Sequence, residues 1–271
     1  MKLSLPSRKP SVAVIRLEGP ILSGRAGTQQ GLSDTGLGPV IERAFARKRH
    51  KAVALILNSP GGSPVQSALI AARIRRLADE TGTPVHAFIE DVAASGGYWL
   101  ACAADDIHAD ALSIVGSIGV ISAGFGFPAL IERWGIERRV HTAGKSKSFM
   151  DPFRPENPED IARLRAILGP MHEGFIDHVK TRRGDRLATG RDLFTGDFWL
   201  GREAVELGLI DGIGHAEPRL KALYGDKVKF VRYGQKRGLL RRFGAQSRTA
   251  DTARALVSAA EEHALWARYG L

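Results

Sequence analysis

The sequence is short of cysteine: one, Cys102, among 271 residues. A single thiol excludes an internal disulfide and any metal cluster built on several cysteines. Cys102 lies in an apolar stretch, which fits a small core residue better than a reactive thiol. Acids are the second shortage. The 29 Asp+Glu stand against 39 Lys+Arg, a formal net charge of +10. That excess suggests an anionic partner (nucleic acid, anionic lipid or acidic peptide) or simply a solvated basic surface. No repeat of fixed period is present, and neither the Gly-x4-Gly-Lys-Ser/Thr nor the GxGxxG pattern of nucleotide binding occurs. A secretory leader is not expected. Lys2, Arg8 and Lys9 precede a strand-like Ser11–Glu18 whose apolar run is broken by Arg16. One charge-free run, Ala111–Ile131, has 21 residues, enough to span a bilayer. It carries Gly116, Gly119, Gly124, Gly126 and Pro128 between Asp110 and Glu132, so a buried, glycine-rich core segment is the expectation.

What is present is ordinary globular material. Hydrophobic residues are 44% and charged residues 25%, which excludes wholesale disorder and collagen. The length fits one large α/β domain or two small ones. Val12–Leu17, Ala52–Leu57 and Val85–Ile89 read as buried strands. A helix fits between the last two, with Pro64 in its first turn, Ile70, Ile74 and Leu77 on one face, and Gly82 and Pro84 at its end. Strand, glycine turn, helix, strand implies a largely parallel sheet. Val92–Ala104 is expected as a buried helix, Ile107–Ala109 as a short strand and Thr142–Pro158 as a long loop. Ile161, Leu164, Leu168, Met171, Phe175 and Val179 mark an amphipathic helix, with His172 and His178 on its polar side. Gly201–Gly208 reads as a short helix and Thr252–Tyr269 as another.

Two glycine-rich turns carry the chemistry. Asn58-Ser59-Pro60-Gly61-Gly62-Ser63 follows a strand and precedes a helix, where exposed amides can hold an anion or a developing oxyanion. A plain tight turn is the alternative. Ala93-Ala94-Ser95-Gly96-Gly97-Tyr98 places a serine among small residues at a helix start, either a nucleophile or a helix cap. A nucleophilic serine needs a base. None of the eight histidines recommends itself, although a Ser-His-Asp triad stays an alternative. Lysine is the other candidate, since burial can make an amine a base. Gly144-Lys145-Ser146-Lys147-Ser148 lies in the long loop, where a solvated surface is the usual fate of a lysine.

These turns, with Val115-Gly116-Ser117-Ile118-Gly119-Val120, the Gly144–Ser148 motif, Pro152-Phe153 and Phe194-Thr195-Gly196, resemble the bacterial signal peptide peptidase (SppA-type) family of serine proteases. The resemblance runs over residues 11–225. It implies the α/β fold shared by Clp proteases and crotonases, with stacked β-β-α units. It also implies a Ser/Lys dyad: Ser95 as nucleophile, Lys147 as general base with Lys145 the weaker match, Ser117 orienting the lysine, and Gly62 with Gly96 as oxyanion-hole donors. No cofactor or metal is implied. Peptide substrates, signal peptide remnants or other apolar peptides, are. So is a homo-oligomeric ring or dome with sites between protomers.

The expected organisation is a tail at 1–10, a single catalytic domain at 11–225 and a basic extension with a helix at 226–271. Tyr233–Arg248 holds five positive charges, half the net excess. It suggests peripheral contact with anionic membrane, and the resemblance to a short, unanchored form of the family implies a cytoplasmic or peripherally attached chain; nucleic acid is not expected. Two other functions fit the same residues: a crotonase-like acyl-CoA enzyme, and a catalytically inert scaffold at the membrane.

Overall fold

The computed structural model describes residues 10–23, 31–144, 146–234 and 263–271. In chain order the elements are β1 (Ser11–Glu18), α1 (Asp34–Phe45), β2 (His50–Ser59), α2 (Pro64–Thr81), β3 (Val85–Ala94), α3 (Gly96–Ala101), β4 (Asp106–Ala109) and β5 (Ile114–Gly116). There follow α4 (Pro128–Arg133), α5 (Pro158–Arg183), β6 (Phe198–Leu200), α6 (Gly201–Glu206), β7 (Gly212–Ile213), α7 (Ala216–Tyr224) and β8 (Lys229–Tyr233).

The strands form one eight-stranded sheet in the order β6-β5-β3-β2-β1-β8, with β4 between β3 and β7. Every pair is parallel except β5 with β6. On its side away from β2, strand β3 serves two neighbours: His86–Ile89 pair with β4 and Val92–Ala94 with β5. Alternation along the strands buries both faces. Ala13, Ile15, Leu17, Val53, Leu55 and Leu57 join the main core, whereas Val12, Ala54 and Phe88 meet Leu220 of α7 on the other face.

Helix ends follow their capping chemistry. Ser33 accepts from Gly36 N–H at 3.3 Å, Ser63 from Gln66 N–H at 3.4 Å and Asn157 from Glu159 N–H at 2.9 Å. Gly82 ends α2 at φ 62°, as expected for a left-handed C-cap.

Four expectations change. Val92–Ala94 do not open a helix; they pair with β5, so the helix begins only at Gly96. The Ala111–Ile131 run exposes Leu112, is buried over Val115–Ile118 and then emerges. Ile121 and Phe125 are 65% and 83% exposed, and α4 buries nothing. Residues 229–233, read as part of the extension, pair with β1 at the sheet edge, so a boundary at 225 separates a strand from its sheet. His178 is not on a polar face: its ring stacks on Trp99 at 4.5 Å. Residues 1–9, Lys145, most of the basic stretch and residues 252–262 lie outside the described residues.

Candidate active site

Parallel strands deliver their C-terminal ends to one edge of a sheet, and a ligand crevice belongs there. Strands β1, β2, β3 and β5 end side by side, so turns far apart in the chain meet. Gly19 N–H donates to Asn58 O at 2.9 Å, Ile21 N–H to Gly61 O at 2.7 Å, and Ser63 N–H to Ile21 O at 2.8 Å. Ser95 N–H donates to Gly116 O at 2.8 Å. Buried Ser59 ties this end together, its hydroxyl donating to Gly19 O at 2.7 Å and accepting from Gly61 N–H at 3.2 Å. Asn58 donates to Asp91 Oδ2 at 2.6 Å. The strand-end motif was legible in the sequence, but these two bracing roles were not.

Ser95 stands at φ 52°, ψ −123°, a conformation that costs a non-glycine residue about 1–3 kcal/mol. Its carbonyl starts α3 by accepting from Tyr98 and Trp99 N–H, while its side chain makes no cap bond. The hydroxyl is therefore not used as Ser33 and Ser63 use theirs, which removes the helix-cap alternative. A strained serine on a sharp strand-to-helix turn has the geometry of a nucleophile elbow.

The glycines let two turns touch. A Cβ on Gly61, at φ 98°, would stand 2.7 Å from Ala94 O and 2.8 Å from Gly96 N. One on Gly62, at φ 140°, would run into Ile21 O. One on Gly97 would lie 2.5 Å from Ser59 O. A Cβ on Gly96 would lie 3.4 Å from Gly62 N, so these two amides are neighbours. Gly96 opens a helix and has no intrahelical acceptor for its N–H. Beside them is a cavity of about 100 Å³ lined by Ser95, Trp99, Val120, Ile121, Met171 and Phe175. A larger one, about 1000 Å³, lies between residues 122–126, 148–152, 154–157 and the first two turns of α5, and does not include Ser95.

Ser117 is buried at φ 54°, one residue beyond the carbonyl that holds Ser95 N–H. Its own N–H donates to Asp197 O at 2.7 Å. Gly116 must be glycine, because a Cβ there would stand 2.8 Å from the Trp199 ring. Lys147 is placed elsewhere. It is exposed in a turn, with its N–H on Gly144 O at 3.2 Å, and it lines neither cavity. Thus Ser95, Ser117, Gly62 and Gly96 come together and Lys147 does not join them in this chain.

Several other nucleophiles and bases are committed. Burial pushes the Cys102 thiol up to about 12. Burial lowers His178, whose Nε2 is 3.1 Å from Trp99 O. His86 lies between Asp106 and Tyr224, and His50 between Ser11 and Tyr233. Among the described residues no histidine contacts Ser95.

The model of peptidase family S49 matches residues 78–227, more than half of the chain, including Ser95, Ser117 and Lys147. A protein of Brucella abortus (strain 2308) named Na(+)/H(+) antiporter NhaA is 48% identical across 100% of this chain, which covers 39% of that protein. A putative signal peptide peptidase SppA of Enterococcus faecium is 31% identical over 66% of this chain and 52% of its own length. The chain thus spans about two fifths to a half of these relatives. Among the described residues no helix is long and apolar enough to cross a membrane. A solved 1510-N membrane-bound stomatin-specific protease superposes with a TM-score of 0.50 at 15% identity, over 85% of this chain and 100% of that one. The fold is accordingly the Clp/crotonase-like α/β fold that the motifs implied. The family match extends from the end of α2 through α7, across the strained serine turn and the strand that supports it, and the chain belongs to peptidase family S49.

Proposed function

We propose that this chain is a serine endopeptidase in which Ser95 is the nucleophile and Lys147 the general base. One observation carries the reading: Ser95 is held in a strained elbow, its hydroxyl unused for capping, beside the amides of Gly62 and Gly96. As Ser95 Oγ attacks a peptide carbonyl carbon, its proton passes to the neutral Lys147 amine. The carbonyl oxygen becomes an oxyanion and takes the Gly62 and Gly96 N–H bonds. The C–N bond then breaks, and Lys147 returns the proton to the leaving amine. Water, deprotonated by the same lysine, hydrolyses the acyl-enzyme and restores Ser95. The small, largely apolar cavity favours peptides with small or apolar side chains at the cleavage site, signal peptide remnants among them.

Lys147 has to reach Ser95, and the segment that carries it is built to meet something. Ile121, Phe125, Leu130, Trp134 and Ile136 are all more than half exposed. We read this arm as a surface that a second copy of the chain covers. Burial disfavours the charged form of a lysine, so assembly also makes Lys147 a base.

A peptide library presented to wild type, Ser95→Ala and Lys147→Ala tests the dyad. Both variants should lose at least about 1000-fold in turnover. Cleavage that survives both substitutions would refute the assignment. Fluorophosphonate labelling of wild type but not Ser95→Ala separates the peptidase from an inert scaffold.

A further inference from the structure

Strands β1, β2 and β8 run parallel and begin at an end of the sheet that the candidate site does not use. Ser11 of β1 pairs with His50 on one side and with Lys229 on the other. Adjacent strands lie about 4.8 Å apart, so the α1–β2 turn and the α7–β8 turn stand close together. They carry Arg47, Lys48, Arg49, Lys51, Lys227 and Lys229, all exposed, against one acid, Asp226. Among the described residues none of the six forms an ion pair, whereas Arg16, Arg73, Arg75 and Arg183 are each held by a carboxylate. Arg47 lies over the Tyr233 ring at 6.0 Å. Buried His50, bonded to Ser11 and Tyr233, registers the local charge: burial first, then Arg49 and Arg47, hold its imidazole below the usual range. The two turns together carry as much net positive charge as Tyr233–Arg248.

We propose that this end of the sheet is a docking surface for an anionic lipid bilayer. Six cations without counter-charges, set on neighbouring turns, fit a plane of phosphate headgroups, which asks for no cleft and no fixed register. Leu223, exposed near the end of α7, adds an apolar contact beside them. Nucleic acid is the less suited polyanion, since neither turn offers an exposed ring on which a base could stack. The strands also set the orientation. β1 has 8 residues and β2 has 10. At about 3.3 Å per residue the Ser95 turn then stands roughly 26–33 Å from the docked end. The crevice faces water, and peptides reach it from the aqueous side. Docking makes no use of Ser95, so it stands apart from the Ser/Lys reading.

The test is sedimentation of the full-length protein with vesicles of phosphatidylglycerol and phosphatidylcholine, and with phosphatidylcholine alone. Wild type should bind the first and not the second, and binding should fall away as salt rises from about 0.1 to 1 M. Two variants of equal net charge locate the contact. One carries Lys48→Ala, Arg49→Ala, Lys51→Ala, Lys227→Ala and Lys229→Ala, and keeps Arg47 on its tyrosine. The other carries Lys236→Ala, Arg237→Ala, Arg241→Ala, Arg242→Ala and Arg248→Ala. At roughly fivefold per charge, the first should lose at least about 100-fold in partitioning, and at least about tenfold more than the second. Binding of the first variant within about threefold of wild type, or an equal loss in both, overturns the docking surface. So does tighter binding of wild type to duplex DNA than to the anionic vesicles at the same salt. A second measurement leaves all six cations in place. Cys102 is buried, its thiol pushed up to about 12, so an introduced cysteine takes an environment-sensitive fluorophore alone. On anionic vesicles its emission should rise at Ala46→Cys, in the first basic turn, and not at Glu18→Cys, at the other end of β1. A rise at Glu18→Cys, or none at Ala46→Cys, overturns the proposal even where the first variant fails to fold.

Discussion

Ser95 and Lys147 occupy opposite surroundings in one chain. Around Ser95, four strand ends converge, buried polar groups are paired, and the close approaches at Gly61, Gly62 and Gly97 admit no Cβ. Around Lys147, the arm from 121 to 157 has one six-residue helix that buries nothing, and it turns large apolar side chains outward. The first region is fixed by the fold before any substrate arrives. The second region turns to solvent what the first buries. On the proposed dyad, nucleophile and oxyanion donors are preorganised, while the base waits on assembly.

Moving one methyl group between the two regions should break the comparison most sharply. Gly62→Ala drives a Cβ into Ile21 O at a positive φ, so it should destabilise the chain by at least about 2 kcal/mol. It also displaces the amide proposed as an oxyanion donor, so a further loss on the order of 100-fold or more in turnover is expected. Gly124→Ala on the arm meets nothing within 4 Å and should stay within about 0.5 kcal/mol of wild type. Thermal midpoints and kcat for the pair decide it. Equal midpoints would mean that the turn is not rigid.

Next in size is the arm itself. Phe125→Ser with Trp134→Ser removes two of its most exposed apolar side chains, 83% and 73% accessible. If a second copy covers them, association should weaken by about 2 kcal/mol or more. Sedimentation would then show smaller species, peptide hydrolysis would fall at least about tenfold, and the far-UV spectrum would not change. Unchanged mass and activity would return the arm to the status of a surface loop.

The same contrast governed what the sequence could reveal. β1, β2 and β3 were legible because strands buried on both faces read as continuous apolar runs, and α2 because its apolar spacing lies between a proline and a glycine. Ser95, Gly62 and Gly96 were legible because a close approach of backbones demands small residues in an ordered string. Helix α1 was not, since Gly36, Gly38 and Pro39 dilute its pattern. Strands β5, β6 and β7, of two or three residues, are too short to show a period. An uncharged composition pointed to burial for residues 121–131, but an interface segment shares that composition. The contact between Ser117 and Tyr269 spans 152 positions and has no local signature.

The smallest effect separates the regions by pH. Arg183, 2% exposed, holds Asp211 at 2.8 and 3.0 Å, and Asp211 Oδ2 also accepts from Ile107 N–H at 2.7 Å. Burial pushes the Asp211 carboxyl up, but the Arg183 hydrogen bonds and charge, with the Ile107 amide, outweigh it and hold the group below its ordinary range. A carboxylate depressed in the folded state contributes stability above its unfolded value, here about 3.8, and that stability is lost as pH falls below it. Asp211→Asn should therefore lower the thermal midpoint at neutral pH, because it leaves a buried guanidinium without its counter-charge. The gap to wild type should narrow as pH drops below that value. Asp151 offers the matched control on the arm. The Phe153 amide, aided by the Arg138 charge, likewise lowers it, but its partner Arg138 is half exposed, so solvent screens the pair. Asp151→Asn should change the midpoint little at any pH. If it matched Asp211→Asn, the arm would be as firmly folded as the sheet, and the conditional base would lose its physical ground.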